Sequence, residues 1–165
     1  QYPEEVAGEN AEEQLHAGMK EAFWQGRMQE IEPEIYFDGA HNTSGIGMFT
    51  EAVNRLTAKD TYRPLLLFSM VKEKDYSTSI DMLTSDIVWD EMAVTTIPNE
   101  RGISFEKLEK LFEEDTDRPV TGYADYREAF RAMKEKKKPG QKFFCTGSLY
   151  FIGALMEVWK ENCDD

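Results

Sequence analysis

Hydrophobic positions along this chain switch repeatedly between two spacings. Short continuous apolar runs, "IYF" at 35–37, "LLLF" at 65–68 and "KFFC" at 142–145, read as strands covered on both faces. Between them the apolar positions recur every three or four residues, as an amphipathic helix requires. "TSGIGMFTEAVNRL" places Ile46, Phe49, Val53 and Leu56 on one stripe, and "YSTSIDMLTSD" turns Ile80 and Leu83 inward. "SFEKLEKLFEE" carries Phe105, Leu108, Leu111 and Phe112, with Ser104 as N-cap and Glu106 in the first turn. "DYREAFRAMKEKKK" carries Tyr126, Ala129, Phe130 and Met133, and "SLYFIGALMEVWKE" carries Leu149, Ile152, Met156 and Trp159. "IVWDEMAVTTI" is strand-like although Asp90 and Glu91 interrupt it, and "PVTGY" holds a very short strand. Pro139-Gly140 marks the turn before the last strand.

The N-terminal part differs. Residues 1–10 are polar and read as disordered or extended, and 11–22 form a candidate helix with Leu15, Met19 and Ala22 on one side. Two candidate strands, 27–32 and 35–38, are separated only by the stretch around Pro33. That gap suits a hairpin and is too short for a helical crossover. The expected fold class is therefore α/β: a Rossmann-like, mostly parallel sheet with helices on both faces and a short N-terminal hairpin. One sequence does not give the strand order.

Composition narrows the chemistry. The 165 residues are enough for one domain with a proper core. A net charge of −13, from 19 basic and 32 acidic residues, disfavours binding to nucleic acid or to an anionic membrane surface. It leaves room for a small anionic ligand, which a few local cations and helix N-termini can hold. The basic run Lys134–Lys138 lies at a helix end, where cations suit the dipole, and reads as a solvated face. Cys145 reads as a buried, inert thiol, and Cys163 lies in the acidic tail; the setting expected from this cysteine usage is cytoplasmic. No stretch reaches membrane-spanning length.

In open parallel sheets ligands bind beyond the carboxyl ends of the strands. Three polar clusters fall at such ends: "DGAHN" after 35–37, "MVKEKD" after 65–69 and "TGS" after 143–145. Asp38 can accept hydrogen bonds from a ribose diol or cap the loop. His41 can donate to a substrate carboxylate or phosphate, or be structural. Asn42 can cap the following helix or align a substrate, capping being the safer reading. Lys72 and Lys74 are mobile point charges suited to carboxylate or phosphate. Thr146 or Ser148 can cap the last helix, whose N–H groups suit a carboxylate. Arg27 and Arg101 are each either a ligand contact or an ordinary surface arginine. The chain has no GxxxxGK[ST] phosphate loop, no full GxGxxG and no dense zinc pattern.

"FWQGRMQEI", "IYFDGAHNTSG", "LLLFSMVKEKDY" and "FFCTGSLYFIG", in that order and spacing, resemble the C-terminal domain of folylpolyglutamate synthase/dihydrofolate synthase, within the Mur-ligase superfamily. The resemblance covers about residues 22–160. It implies residues 1–22 as a lead-in from an N-terminal P-loop ATPase domain and 23–165 as the C-terminal domain. It implies an ATP- and Mg²⁺-dependent ligase that activates a folate carboxylate as an acyl phosphate, which the amine of L-glutamate then attacks. ATP and Mg²⁺ would be held mainly by the N-terminal domain. Carried over residue by residue, Asp38 would contact the ATP ribose and Arg27 would approach the nucleotide from the hinge side. His41, Lys72 and Ser148 would hold or orient glutamate, Asn42 and Lys74 would stand beside the same cleft, and Asp75 would orient that loop.

The sequence departs from the family at Thr43, where proline is usual, and Thr43 is expected to cap the helix. It departs also around Arg101, where "PNERG" replaces a Pro-Arg-Ala stretch. The related muramyl peptide ligases show Asp-Tyr-Ala-His where this chain has Asp38-Gly39-Ala40-His41, which favours folate over peptidoglycan. A first residue other than Met, inside the lead-in segment, favours a piece of a longer protein whose isolated form lacks ligase activity. The alternatives are a stand-alone nucleotide- or anion-binding regulatory module, and a nicotinamide-binding oxidoreductase domain, against which the missing GxGxxG argues.

Overall fold

The computed structural model describes residues 28–72 and 75–163; the expected helix at 11–22, Arg27 and Lys74 lie outside them. Six strands form one sheet: β1 Gln29–Glu32, β2 Ile35–Phe37, β3 Leu65–Phe68, β4 Glu91–Thr95, β5 Val120–Tyr123 and β6 Phe143–Thr146. Their order is β1-β2-β6-β3-β4-β5. β1 pairs antiparallel with β2, as a hairpin must, and every other pairing is parallel. Five helices connect or follow the strands: α1 Thr43–Thr57, α2 Tyr76–Asp86, α3 Phe105–Asp115, α4 Tyr126–Lys136 and α5 Leu149–Cys163.

The period of two in each strand sorts side chains to opposite faces. Tyr36, Leu66, Phe68, Met92, Val94 and Phe144 meet α1, α2 and α3 through Ile46, Phe49, Val53, Ile80, Leu83, Leu108 and Phe112. Ile35, Phe37, Leu65, Leu67, Ala93, Phe143 and Cys145 meet α4 and α5 through Ala129, Phe130, Met133, Phe151, Ile152 and Leu155. Both faces of the sheet are thus covered, which is why "LLLF" shows no polar alternation and all four residues are buried. Helices that carry the chain outward from β2 to β5 share one face. α4 returns the chain to β6 on the other, as right-handed crossovers require.

Three local expectations change. Leu56 does not join the inner stripe of α1; it is 38% exposed. Thr43 is the first residue of α1, not its cap; Asn42 accepts the Gly45 N–H at 2.8 Å. The Lys134–Lys138 run is no simple solvated face. Lys134 pairs with Glu32 at 2.9 Å, Lys136 with Glu91 at 3.3 Å and Lys137 with Glu34 at 2.9 Å. Lys138 lies 5.0 Å from the centre of the Tyr62 ring. The run therefore fastens α4 to the β1–β2 hairpin and to the start of β4.

The interruption at Asp90-Glu91 is resolved by starting β4 at Glu91. Trp89, ahead of it, is buried and donates its Nε1–H to the Leu83 carbonyl. Asp90 receives the amide of buried Gln141 at 2.9 Å, so this carboxylate sits at the sheet edge with a partner. Gly140 closes the turn before β6 with φ +88°, a conformation glycine adopts without cost.

Candidate functional site at the carboxyl edge of the sheet

β2, β6 and β3 are consecutive neighbours, so the three polar clusters that follow them lie side by side. The helix after β6 leaves towards one face, and the helices after β2 and β3 leave towards the other. A crevice opens where such helices diverge, and this is where open α/β sheets receive ligands.

Hydrogen bonds tie the strand ends together across the sheet. Asp38 N–H donates to Cys145 O at 3.0 Å, Gly147 N–H to Ala40 O at 3.2 Å and Ser69 N–H to Thr146 O at 3.4 Å. The Ser69 hydroxyl donates to Thr95 O, and the Thr95 hydroxyl to Tyr123 O at 2.8 Å. The edge is therefore braced from β2 to β5, and the loops above it start from fixed positions.

Asp38 is 1% exposed, and its Oδ1 accepts the Ala40 N–H at 2.8 Å. The carboxylate shapes the turn out of β2. His41, half-buried, holds Nδ1 at 2.9 Å from the Gly39 carbonyl. A carbonyl only accepts, so Nδ1 carries the hydrogen and Nε2 is the ring's other, outward-capable nitrogen. Asn42 is exposed, with its side-chain oxygen committed to the first turn of α1. Asp75 caps α2, accepting from the Thr78 amide and hydroxyl.

Ser148 rather than Thr146 caps α5. Its hydroxyl accepts the Tyr150 N–H at 3.1 Å, and its carbonyl accepts the Ile152 N–H at 3.0 Å. The first turn of α5 carries no acidic residue, so its N–H groups and dipole present an uncompensated positive end. Thr146 is fully buried, and its hydroxyl has no partner among the described residues. Lys72 is exposed, and its backbone N–H donates to Arg101 O at 2.8 Å.

A fourth loop, between β4 and α3, joins the other three; the sequence alone left Arg101 ambiguous. Val71 bridges Gly102 antiparallel, Ile103 N–H donates to Met70 O at 3.0 Å, and the Arg101 guanidinium lies 5.6 Å from the centre of the Tyr150 ring. The signal for Gly147, also missed, was its place in "TGS" at a strand end. It adopts φ +125°, and a Cβ there would lie 1.9 Å from Ser69 O. Among the described residues no three His, Cys, Asp or Glu side chains converge as a metal site. Away from this edge, cavities of about 390 Å³ around Asn54, Tyr62, Arg63 and Val88 and of about 240 Å³ between α2 and α3 lie among the described residues.

A mostly parallel sheet covered by helices on both faces, with an antiparallel N-terminal hairpin, defines a Rossmann-like α/β domain. The model of the Mur ligase, glutamate ligase domain matches residues 26–149, and the chain belongs to that family. It is 28% identical over 157 residues to the dihydrofolate synthase/folylpolyglutamate synthase of Bacillus subtilis, covering 91% of this chain and 34% of that protein. It is 23% identical over 151 residues to a probable bifunctional folylpolyglutamate synthase/dihydropteroate synthase of Haloferax volcanii, covering 89% and 17%. The fold matches Escherichia coli FolC in complex with ADP, with a TM-score of 0.72, 22% identity and coverage of 85% of this chain and 32% of that one. It also matches the Mycobacterium tuberculosis folylpolyglutamate synthase complexed with ADP, with a TM-score of 0.65, 24% identity and coverage of 81% and 32%. The chain thus spans about a third of the length of these relatives, or less.

Proposed function

We propose that this chain is the glutamate- and nucleotide-contacting C-terminal domain of a cytoplasmic, ATP-dependent ligase that adds L-glutamate to a reduced folate. The observation that supports this reading is the adjacency of the "DGAHN", "MVK" and "TGS" loops on consecutive strands β2, β6 and β3. In this reading 1–22 lead in from an N-terminal P-loop domain of the same protein, and 23–165 form the domain that closes over it. Among the described residues no helix is long and apolar enough to cross a membrane.

When bound, ATP supplies the phosphoryl group that activates the folate carboxylate. In this reading ATP and Mg²⁺ are held mainly by the N-terminal domain. The chain's own residues position glutamate. The Ser148-capped N-terminus of α5 and the Lys72 ammonium hold carboxylate charge, and His41 Nε2 faces the amino acid. Asp38, Arg27, Asn42 and Lys74 form the nucleotide side. Because Asn42 and Asp38 already order the first turns after β2, their contribution is first to fix that loop and then to present it to the ribose. Rate gain comes from orientation of the amine and from excluding water that would hydrolyse the activated acid.

The test is an assay of the full-length protein with reduced folate, ATP, Mg²⁺ and L-glutamate. ADP release matched by glutamylated folate is expected, and the 165-residue chain alone is expected to be inactive. ADP release without glutamylated folate overturns the substrate.

A further inference from the structure

We propose that the cavity at the amino ends of β3 and β4 is a second ligand site, which takes a small zwitterion with an apolar tail: an α-amino acid with an aliphatic side chain. It lies at the opposite ends of the strands from the edge argued above, and it does not rest on the ligase reading. Its volume of about 390 Å³ is that of a small-molecule site. The last turns of α1 and α2 and the loops into β3 and β4 line it, through Asn54, Asp86, Tyr62, Arg63 and Val88.

Two opposite charges face this one cavity, and the fold uses neither. Arg63 and Asp86 both line it, yet among the described residues neither side chain has an ion pair or a hydrogen bond. Only their backbones are engaged. The Arg63 carbonyl accepts the Gln141 amide at 2.8 Å, and the Asp86 carbonyl accepts the Asn54 amide at 2.9 Å. The charges around them are already matched: Lys142 holds Asp60 at 2.6 Å, and the Lys138 ammonium lies 5.0 Å from the centre of the Tyr62 ring. Asp86 is also the last residue of α2, at the negative end of the helix dipole, and the last turn holds no basic residue to offset it. A bound ammonium relieves that repulsion. Asn54 spends its amide N–H on Asp86 O, which leaves its Oδ1 as a second acceptor for the same ammonium.

Size and wall define the rest of the ligand. A round cavity of this volume is about 9 Å across. In an α-amino acid the ammonium and carboxylate share one carbon, so nitrogen and oxygen lie about 3 Å apart. A hydrogen bond of about 2.8 Å at either end makes a span of about 9 Å from carboxylate to guanidinium. An inorganic ion would answer one charge and leave the other. The guanidinium takes the ligand's carboxylate with paired N–H donors. Val88 and Tyr62, 55% and 40% exposed, stand beside buried Ile87 and Pro64 on the same wall, and an aliphatic tail laid against them is removed from water.

The test titrates the chain with L-leucine, with isoamylamine and with isocaproate; the last two keep leucine's tail and one charge each. Backbone amide resonances of Ala58–Arg63 and Asp86–Val88 should move saturably with leucine, and those of Asp38–His41 and Ser148–Phe151 should stay in place. Leucine is expected to bind at least about fivefold tighter than either analogue, the scale of one charge-assisted contact at a partly exposed site. Arg63→Gln should weaken leucine to the level of isoamylamine and leave isoamylamine unchanged. Asp86→Asn should weaken leucine to the level of isocaproate and leave isocaproate unchanged. Both side chains are exposed, so neither variant should lower the melting temperature. No saturable response to leucine at tens of millimolar, a response centred on the carboxyl edge, equal affinity for the three ligands, or undiminished leucine binding in either variant each overturn the assignment. If a variant loses its fold, the three ligands on the wild type decide alone.

Discussion

Gly147 and Ser69 approach so closely that a Cβ on Gly147 would lie 1.9 Å from the Ser69 carbonyl oxygen and 2.9 Å from its carbonyl carbon. Two strand ends, β6 and β3, meet there, and the obstructing atoms are backbone, which no rotamer can move aside. Gly147 also holds φ +125°, where a side chain is strained by itself. The contact is what allows Ser148 to emerge between the β2 and β3 loops. Gly147→Ala should therefore cost about 3 kcal/mol or more. For a domain of this size that is a fall of roughly 10 °C in melting temperature, readable by calorimetry or circular dichroism. A melting temperature within about 2 °C of wild type would mean that the two strand ends separate easily and that the edge is not braced as described.

Asp38 carries two duties that substitution can separate. Asp38→Ala leaves the buried Ala40 N–H without its acceptor, a loss of about 1–3 kcal/mol. Asp38→Asn retains a side-chain oxygen at the same place, so the turn should survive with stability within about 1 kcal/mol of wild type. On the proposed reading both changes should raise KM for ATP in the full-length protein, since the charge that reading offers to the ribose is gone. If Asp38→Asn left KM for ATP unchanged, Asp38 would be a turn-forming residue only.

Lys72 and Ser148 should act on glutamate with different structural costs. Lys72 is exposed, so Lys72→Ala should change stability by less than about 0.5 kcal/mol. Ser148→Ala removes the acceptor for the Tyr150 N–H and should cost about 1 kcal/mol. Steady-state kinetics of the full-length variants should show KM for glutamate raised several-fold in both, with KM for ATP unchanged. Parallel rises in both constants would place these residues outside the amino-acid site.

The elements and their inward faces were legible because each is dictated locally: "LLLF" needs two covered faces, and Phe130 and Met133 share a helical stripe. Strand order was not, because nothing near residues 143–146 says that β6 inserts between β2 and β3. That choice depends on the return crossover over the opposite face. The partners of the lysine run were not legible for the same reason. The Lys137 ammonium meets Glu34, 103 residues away, and a run of like charges carries no mark of a distant partner. At the site, residue types at strand ends pointed to the three loops. The Arg101–Tyr150 contact joins residues from loops after different strands, so it emerges only from the fold.

The two thiols should differ sharply in reactivity. Complete burial pushes the Cys145 thiol well above the ordinary range, because the apolar core disfavours the thiolate, while Cys163 is exposed. A thiol reagent at pH 8 should label one cysteine per native chain, identified by mass spectrometry as Cys163, and two after unfolding. Labelling of Cys145 at the rate of Cys163 under native conditions would show that β6 opens readily, in conflict with its central place in the sheet.

Acid should loosen the hairpin before the core. Burial would raise the Glu32 carboxyl, but hydrogen bonds from Lys134 and Trp159 outweigh it and hold the carboxyl below the usual range. The Lys137 ammonium and the Gly140 N–H do the same for Glu34. A carboxylate whose folded pKa is depressed contributes stability that is fully present above its unfolded value of about 4.3 and is lost as pH falls through the folded one. Melting temperature should thus hold from pH 7 to about 5 and fall below about 4.3, with amide exchange rising first at Gln29–Tyr36. Lys137→Met removes the partner of Glu34 and should flatten part of that acid dependence while changing little once the pH is low enough for Glu34 to be protonated in both proteins. An acid limb as steep in Lys137→Met as in wild type would mean that the Lys137–Glu34 pair adds nothing to the hold on the hairpin.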